Sequence, residues 1–113
     1  MSGAKTFSDE TSERYALALF ELVDENSEVE NTEKKIISLL EICRKNPEFY
    51  FFLKNPTHQI DLQKKIFIEI SNIMNFSKTL KNFLQLIIFK RRIYFLDKIL
   101  EKFIKLSSKK RGN

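Results

Sequence analysis

Apolar side chains recur along this chain three and four residues apart, the spacing of amphipathic helices. No segment alternates at the two-residue period of a strand well enough to compete. The strongest stretch is Asn82 to Phe103. An apolar run (Phe83, Leu84, Leu86, Ile87, Ile88, Phe89) meets a basic break (Lys90, Arg91, Arg92), and a second amphipathic run follows (Ile93, Phe95, Leu96, Ile99, Leu100, Phe103). This pattern predicts helix five over about Lys78 to Phe89 and helix six over about Ile93 to Leu106, packed together across a short polar corner.

The same spacing predicts helix one over Ser8 to Asn26. Tyr15, Ala16, Leu19, Phe20 and Val23 mark its apolar face, and Asp9, Glu10 and Glu13 lie near the positive end of its dipole. Ser27-Glu28-Val29-Glu30 reads as a capping box that opens helix two, with Ser27 as N-cap and Glu30 reaching back. That helix runs to about Lys45 on a core face of Ile36, Leu39, Leu40 and Cys43, with Ile37 flanking. Asn46-Pro47 opens a short third helix as cap and first residue, carrying Phe49, Tyr50, Phe52 and Leu53 and stopping before Asn55-Pro56. Helix four covers about His58 to Met74, its apolar side formed by Ile60, Phe67, Ile70, Ile73 and Met74. Asn75 is its expected left-handed stop, and Ser77 the next N-cap. No internal repeat of fixed period is present. The expectation is an all-α, six-helix bundle over residues 8–106, preceded by a disordered N-terminus (1–7) and followed by a basic C-terminal tail (107–113).

Helices one and five are apolar over more than the stripe of roughly 100° that core burial requires. Ala18 and Leu22 widen the first beyond Tyr15, as Leu86 and Phe89 widen the second. If the two helices are neighbours, Tyr15, Ala18 and Leu22 line a groove with Phe83, Leu86, Phe89 and the edge of Lys90. An amphipathic helix of a partner would fit there, and Ala18 would admit a close backbone approach. The competing reading is that these residues complete the core.

Composition narrows the chemistry. The chain has 113 residues, enough for one domain with a modest core, and its 2 Gly and 2 Pro leave little turn chemistry for a sheet fold. No run of about 18 apolar residues is present to span a membrane, and Met1 to Thr6 lacks the apolar core of a secretory signal. The single Cys43 excludes an internal disulfide and reads as a packed side chain. The lone His58 sits at a helix start, without a cysteine or carboxylate cluster at metal-ligand spacing. The two glycines, Gly3 and Gly112, are terminal, so no phosphate-cradling loop exists. No cofactor, metal or catalytic residue is expected, and an enzyme is disfavoured.

The net charge of +5 is unevenly spread: residues 1–57 sum to −4 and residues 58–113 to +9. Lys90, Arg91 and Arg92, with Lys98, Lys102, Lys105 and the tail, offer an alternative: a small RNA-binding module with salt-sensitive affinity. A solvated basic face that complements the dipole of helix five is the plainer account.

Three segments carry a resemblance. Arg14-Tyr15-Ala16 with Ala18-Leu19-Phe20, Phe52-Leu53-Lys54-Asn55-Pro56 with Lys64-Lys65, and Asn82-Phe83-Leu84 followed by Arg92-Ile93, Leu96, Ile99 and Phe103 together resemble the N-terminal domain of the delta subunit of the F-type ATP synthase. That family includes the mitochondrial oligomycin-sensitivity-conferring protein. The resemblance implies a six-helix bundle and a non-catalytic stator role in the peripheral stalk. It implies that Tyr15, Ala18, Leu22, Asn82, Leu86, Phe89 and Lys90 lie at or near a groove between the first and fifth helices. That groove would grip the N-terminal helix of an alpha subunit and hold the catalytic head against rotor torque. The implied place is peripheral, at the cytoplasmic face of a bacterial inner membrane, touching the membrane only through the complex and binding no nucleic acid. Family members meet the peripheral-stalk b subunit through a further C-terminal domain. This sequence stops at Asn113, so either an N-terminal piece or a short form is expected. Leu17 stands where the family is often polar, which widens the apolar surface of helix one.

Overall fold

The structure, a computed structural model, describes residues 6–112. It contains six α-helices: α1 (Phe7–Glu25), α2 (Val29–Lys45), α3 (Pro47–Lys54), α4 (Ile60–Ile73), α5 (Lys78–Phe89) and α6 (Leu96–Lys110), with one 3-10 turn at Ile93–Phe95 before α6. The described residues include no strand. α6 packs against both α1 and α2, α4 lies on α5, and α5 also touches α1. Phe7 meets Phe95 while Tyr15 meets Phe83, so α1 and α5 run in opposite senses, whereas the pairs Asp9–Lys98, Glu13–Lys102 and Asp24–Lys110 set α6 in the same sense as α1.

The core collects one line of residues from each long helix. Ala16, Leu19 and Val23 come from α1, Ile36, Leu39, Leu40 and Cys43 from α2, and Leu80, Leu84, Ile87 and Ile88 from α5. Leu96, Ile99, Leu100 and Phe103 of α6 close against them, and Phe103 meets the edge of Phe20 at 6.2 Å between ring centres. From α4, Phe67 is the large apolar residue that is fully buried; Ile73, expected in the core, is 83% exposed. It sits at the last turn of α4, rotated about 120° from Phe67 and so off the buried line.

The helix ends show which local signals prevail. Asn46 and Ser77 cap α3 and α5 by accepting from the backbone N–H groups of Phe49 and Leu80. Asn75 adopts the expected left-handed conformation. Ser27 does not cap α2. It is itself left-handed (φ 59°) and closes α1: the N–H of Ser27 bonds to Asp24 O, and that of Glu28 to Val23 O. Arg91 (φ 60°) ends α5 in the same way, through Ile88 O and Ile87 O. With both glycines at the chain ends, serine, asparagine and arginine fill conformations that glycine enters most readily.

The beginning and end of the chain also differ from expectation. Of the segment expected to be disordered, residues 1–5 lie outside the described residues; Thr6 caps α1 and Phe7 is its first residue. α6 continues past Leu106 to Lys110. Ser107 is buried and donates to Glu33 Oε2 at 2.8 Å, and the same oxygen pairs with Arg111 at 3.1 Å. These contacts hold against α2 a stretch that reads as a basic tail in sequence.

Candidate docking groove between the first and fifth helices

Helical geometry sorts the surface of α1 into three lines. At about 100° per residue, Ser12, Ala16, Leu19 and Val23 form the buried line. Tyr15, Leu22 and Ala18 lie successively further round on one side; Glu13, Asp24 and Leu17 lie on the other. The first side faces α5, because the Tyr15 ring meets Phe83 edge-on at 6.4 Å. The second faces α6, where Glu13 and Asp24 pair with Lys102 and Lys110.

On α5 the buried line is Leu80, Leu84, Ile87 and Ile88, and Phe83 lies at its α1 edge. Phe83 is 4% exposed, so it forms the floor of the strip with Tyr15 and has little free surface of its own. Lys90 and Leu86 come next round the helix; Asn82 and Phe89 are further out, on the solvent face. Leu22 and Leu86 remain 46% and 45% exposed, Phe89 is 68% exposed, and Ala18, Asn82 and Lys90 are exposed as well. The structure thus joins Tyr15 and Phe83 directly, and helical phase puts Ala18 and Leu22 on the Tyr15 side of α1 and Lys90 and Leu86 on the Phe83 side of α5, with Asn82 and Phe89 further out. Leu17 is not part of this strip: its side chain lines the opposite flank, beside α6.

The motif around Lys54 shapes the frame of the bundle. Its ammonium donates to Asp97 Oδ1 at 2.9 Å and to Tyr94 O at 2.8 Å, and lies 4.6 Å from the centre of the Tyr94 ring. It thereby ties the end of α3 to the turn that launches α6. Asn55 accepts from the N–H and hydroxyl of Thr57, an Asx turn that reverses the chain before α4. The His58 ring meets that of Phe52 at 4.8 Å between centres, tilted by 39°. The partners of Lys54 were not legible from spacing, since Tyr94 and Asp97 lie 40 and 43 residues further along the chain.

The remaining candidates have structural employment. Cys43 is buried, and burial, followed by the nearby charge of Asp97, pushes its thiol up to about 12, so no thiolate is available at neutral pH. In the basic corner, Arg91 donates to His58 O and Arg92 to Lys90 O. Lys98 and Lys102 pair with Asp9 and Glu13 of α1. The charges that suggested RNA binding are in good part used to fasten helices together. Among the described residues, no group of three or more His, Cys, Asp and Glu is placed to hold a metal, and no helix is long and apolar enough to cross a membrane.

Fold and surface together define a helical-bundle domain with an exposed apolar strip between its first and fifth helices. The family model described as ATP synthase delta (OSCP) subunit matches residues 11–113. The chain belongs to this family. It is 34% identical over 112 residues to the ATP synthase subunit delta of Pelagibacter ubique, an alignment covering 99% of this chain and 60% of that protein. It is 41% identical over 93 residues to the ATP synthase subunit delta of Prochlorococcus marinus strain AS9601, covering 81% of this chain and 51% of the relative. The namesake from Gloeothece citriformis is 35% identical over 97 residues, covering 86% and 52%. The chain spans about half to six tenths of the length of these curated relatives.

Proposed function

We propose that this domain is a non-catalytic stator element of an F-type ATP synthase, and that its α1/α5 strip grips the N-terminal helix of an alpha subunit. The observation that carries the reading is the meeting of Tyr15 and Phe83 between two rows of exposed apolar residues, Ala18 and Leu22 on one helix and Leu86 on the other. A strip of this kind suits the apolar face of an amphipathic helix, read at three-and-four spacing. Ala18 leaves room for a second backbone, and Lys90 provides a cation at one end. Holding the alpha subunit there resists rotor torque without entering the chemistry of ATP formation. The domain works at the cytoplasmic face of a bacterial inner membrane, bound to it through the complex, and contact with the peripheral-stalk b subunit belongs to a further C-terminal domain.

The test is a titration with a synthetic peptide that copies the N-terminal residues of an alpha subunit. The peptide binds the unmodified chain and gains helicity on binding. Leu86→Asp and Ala18→Asp each weaken it at least about tenfold, equivalent to about 1.4 kcal/mol, and far-ultraviolet circular dichroism of the domain stays unchanged. Unaltered affinity in both variants removes the strip as the binding site.

A further inference from the structure

The opposite flank of α1 has its own pattern. Three ion pairs lace α1 to α6: Asp9 with Lys98 at 3.3 Å, Glu13 with Lys102 at 3.6 Å and Asp24 with Lys110 at 3.2 Å. Asp9 and Glu13 are one helical turn apart, and the next position on their line is Leu17. The acidic row breaks there and resumes at Asp24. Opposite the break, Lys105 and Lys109 have no carboxylate partner among the described residues, and both are exposed.

A cleft of about 350 Å³ opens at this break. Ala16, Leu17 and Leu106 form its apolar floor, Lys102, Lys105 and Lys109 rise along one rim, and Glu13, paired with Lys102, lines the opposite side, which leaves Lys105 and Lys109 as the cations free to face a partner. Lys105 and Lys109 are four residues apart, on one face of α6. Two carboxylates one turn apart on another helix match that separation. A floor of Leu17 and Leu106 requires an apolar group between those carboxylates, which a phosphodiester backbone lacks. The volume is near the low end of ligand cavities, about 300–1,000 Å³.

We propose that this cleft docks an acidic amphipathic helix of a partner protein. An apolar side chain rests on Leu17 and Leu106, and carboxylates one turn apart pair with Lys105 and Lys109. The site is on the side of α1 away from Tyr15 and Leu22, so it stands independently of the α1/α5 strip.

The probe is a fluorescein-labelled helical peptide of 18 residues with leucines on one face flanked by glutamates one turn apart, titrated into the full chain and followed by anisotropy. The acidic peptide binds, and its counterpart with lysine in place of glutamate does not. The double variant Lys105→Glu, Lys109→Glu weakens binding at least tenfold. Leu17→Glu completes the acidic row, supplies Lys105 with an internal partner and abolishes binding; circular dichroism and the urea midpoint show that the chain is still folded. Leu86→Asp leaves this affinity unchanged, which separates the site from the α1/α5 strip. Equal binding of both peptides, or full binding by a folded Leu17→Glu chain, overturns the proposal. So does failure of the acidic peptide when phosphatidylserine vesicles or a single-stranded RNA bind with the same lysine dependence. Dimerisation in sedimentation that disappears with the lysine variants would make a second copy the occupant and overturn it equally.

Discussion

Toward α5, α1 presents Tyr15, Ala18 and Leu22, and no ion pair among the described residues joins the two helices. Toward α6, less than half a turn away round the same helix, it presents Asp9, Glu13 and Asp24, each paired with a lysine. The first flank leaves apolar surface open; the second covers most of its length with salt bridges and leaves a gap at Leu17. The contrast shows where attachment strength resides. Surface ion pairs contribute about 0.2–1 kcal/mol each, so α6 is held by Leu96, Ile99, Leu100 and Phe103 rather than by the lysine row. The row mainly sets alignment. An open apolar surface has no comparable internal partner, and on that flank only a second molecule can remove it from water.

The most severe way to break the comparison is to remove the core line that both flanks share. Phe103→Ala deletes a fully buried ring that meets Phe20, and its cost of about 3–5 kcal/mol is a large part of the roughly 5–15 kcal/mol available to a small domain. Urea denaturation reads this as a sharply lowered midpoint. A smaller effect separates the flanks. Leu22→Asp changes stability by less than about 0.5 kcal/mol, as expected of an exposed position. It reduces alpha-peptide affinity at least about tenfold, with little dependence on added salt. Smaller again is Lys102→Ala, which loses one rung and costs about 0.2–1 kcal/mol. That loss shrinks at high salt, where the Debye length falls to about 3 Å at 1 M. Equal salt sensitivity of the Leu22 and Lys102 variants would erase the distinction between the flanks.

The smallest effect concerns protons. A side-chain hydrogen bond with Thr6, then the contact with Lys98, holds the Asp9 carboxyl below its ordinary value of 3.8. A depressed carboxylate favours the folded state above the unfolded value, and that contribution fades as pH falls through the folded one. The first turn of α1 therefore loosens only under acid conditions below that ordinary value. Carboxyl chemical shifts of Asp9 followed by NMR report the folded pKa directly; a value at or above the ordinary one would contradict the contact with Lys98.

Much of this architecture was legible in the chain. Periodicity located the buried lines of α1 and α2, because three-and-four spacing records which side of a helix avoids water; for α5 it marked the apolar run without separating buried Ile87 and Ile88 from exposed Leu86 and Phe89. Asn46-Pro47, Asn75 and Ser77 marked their helix ends, since a cap or a left-handed stop depends on a few neighbouring atoms. Ser27 misled for the same reason. Its sequence fits a capping box, yet the sharp reversal between α1 and α2 places it in a left-handed closure. Ile73 misled because it is apolar and three residues from Ile70, although its helical phase, about 120° round from Phe67, sets it off the buried line. Residues 107–110 look like a solvated basic tail until Glu33, from a distant helix, receives Ser107 and Arg111.

The resemblance in three segments indicated the family before any coordinates, and the apolar excess of helices one and five marked both as unusual. Sequence alone determined the helices, the buried lines of α1 and α2 and the surplus of apolar positions on α1 and α5, because each depends on the order of side chains along a single helix. Which flank each surplus residue occupies was decided only by packing. Helix spacing places Tyr15 and Leu17 on opposite edges of the core line, but not which neighbour lies beyond each edge. Closure of the bundle puts α5 beside Tyr15 and α6 beside Leu17, and so turns one broad apolar helix face into two surfaces of different chemistry.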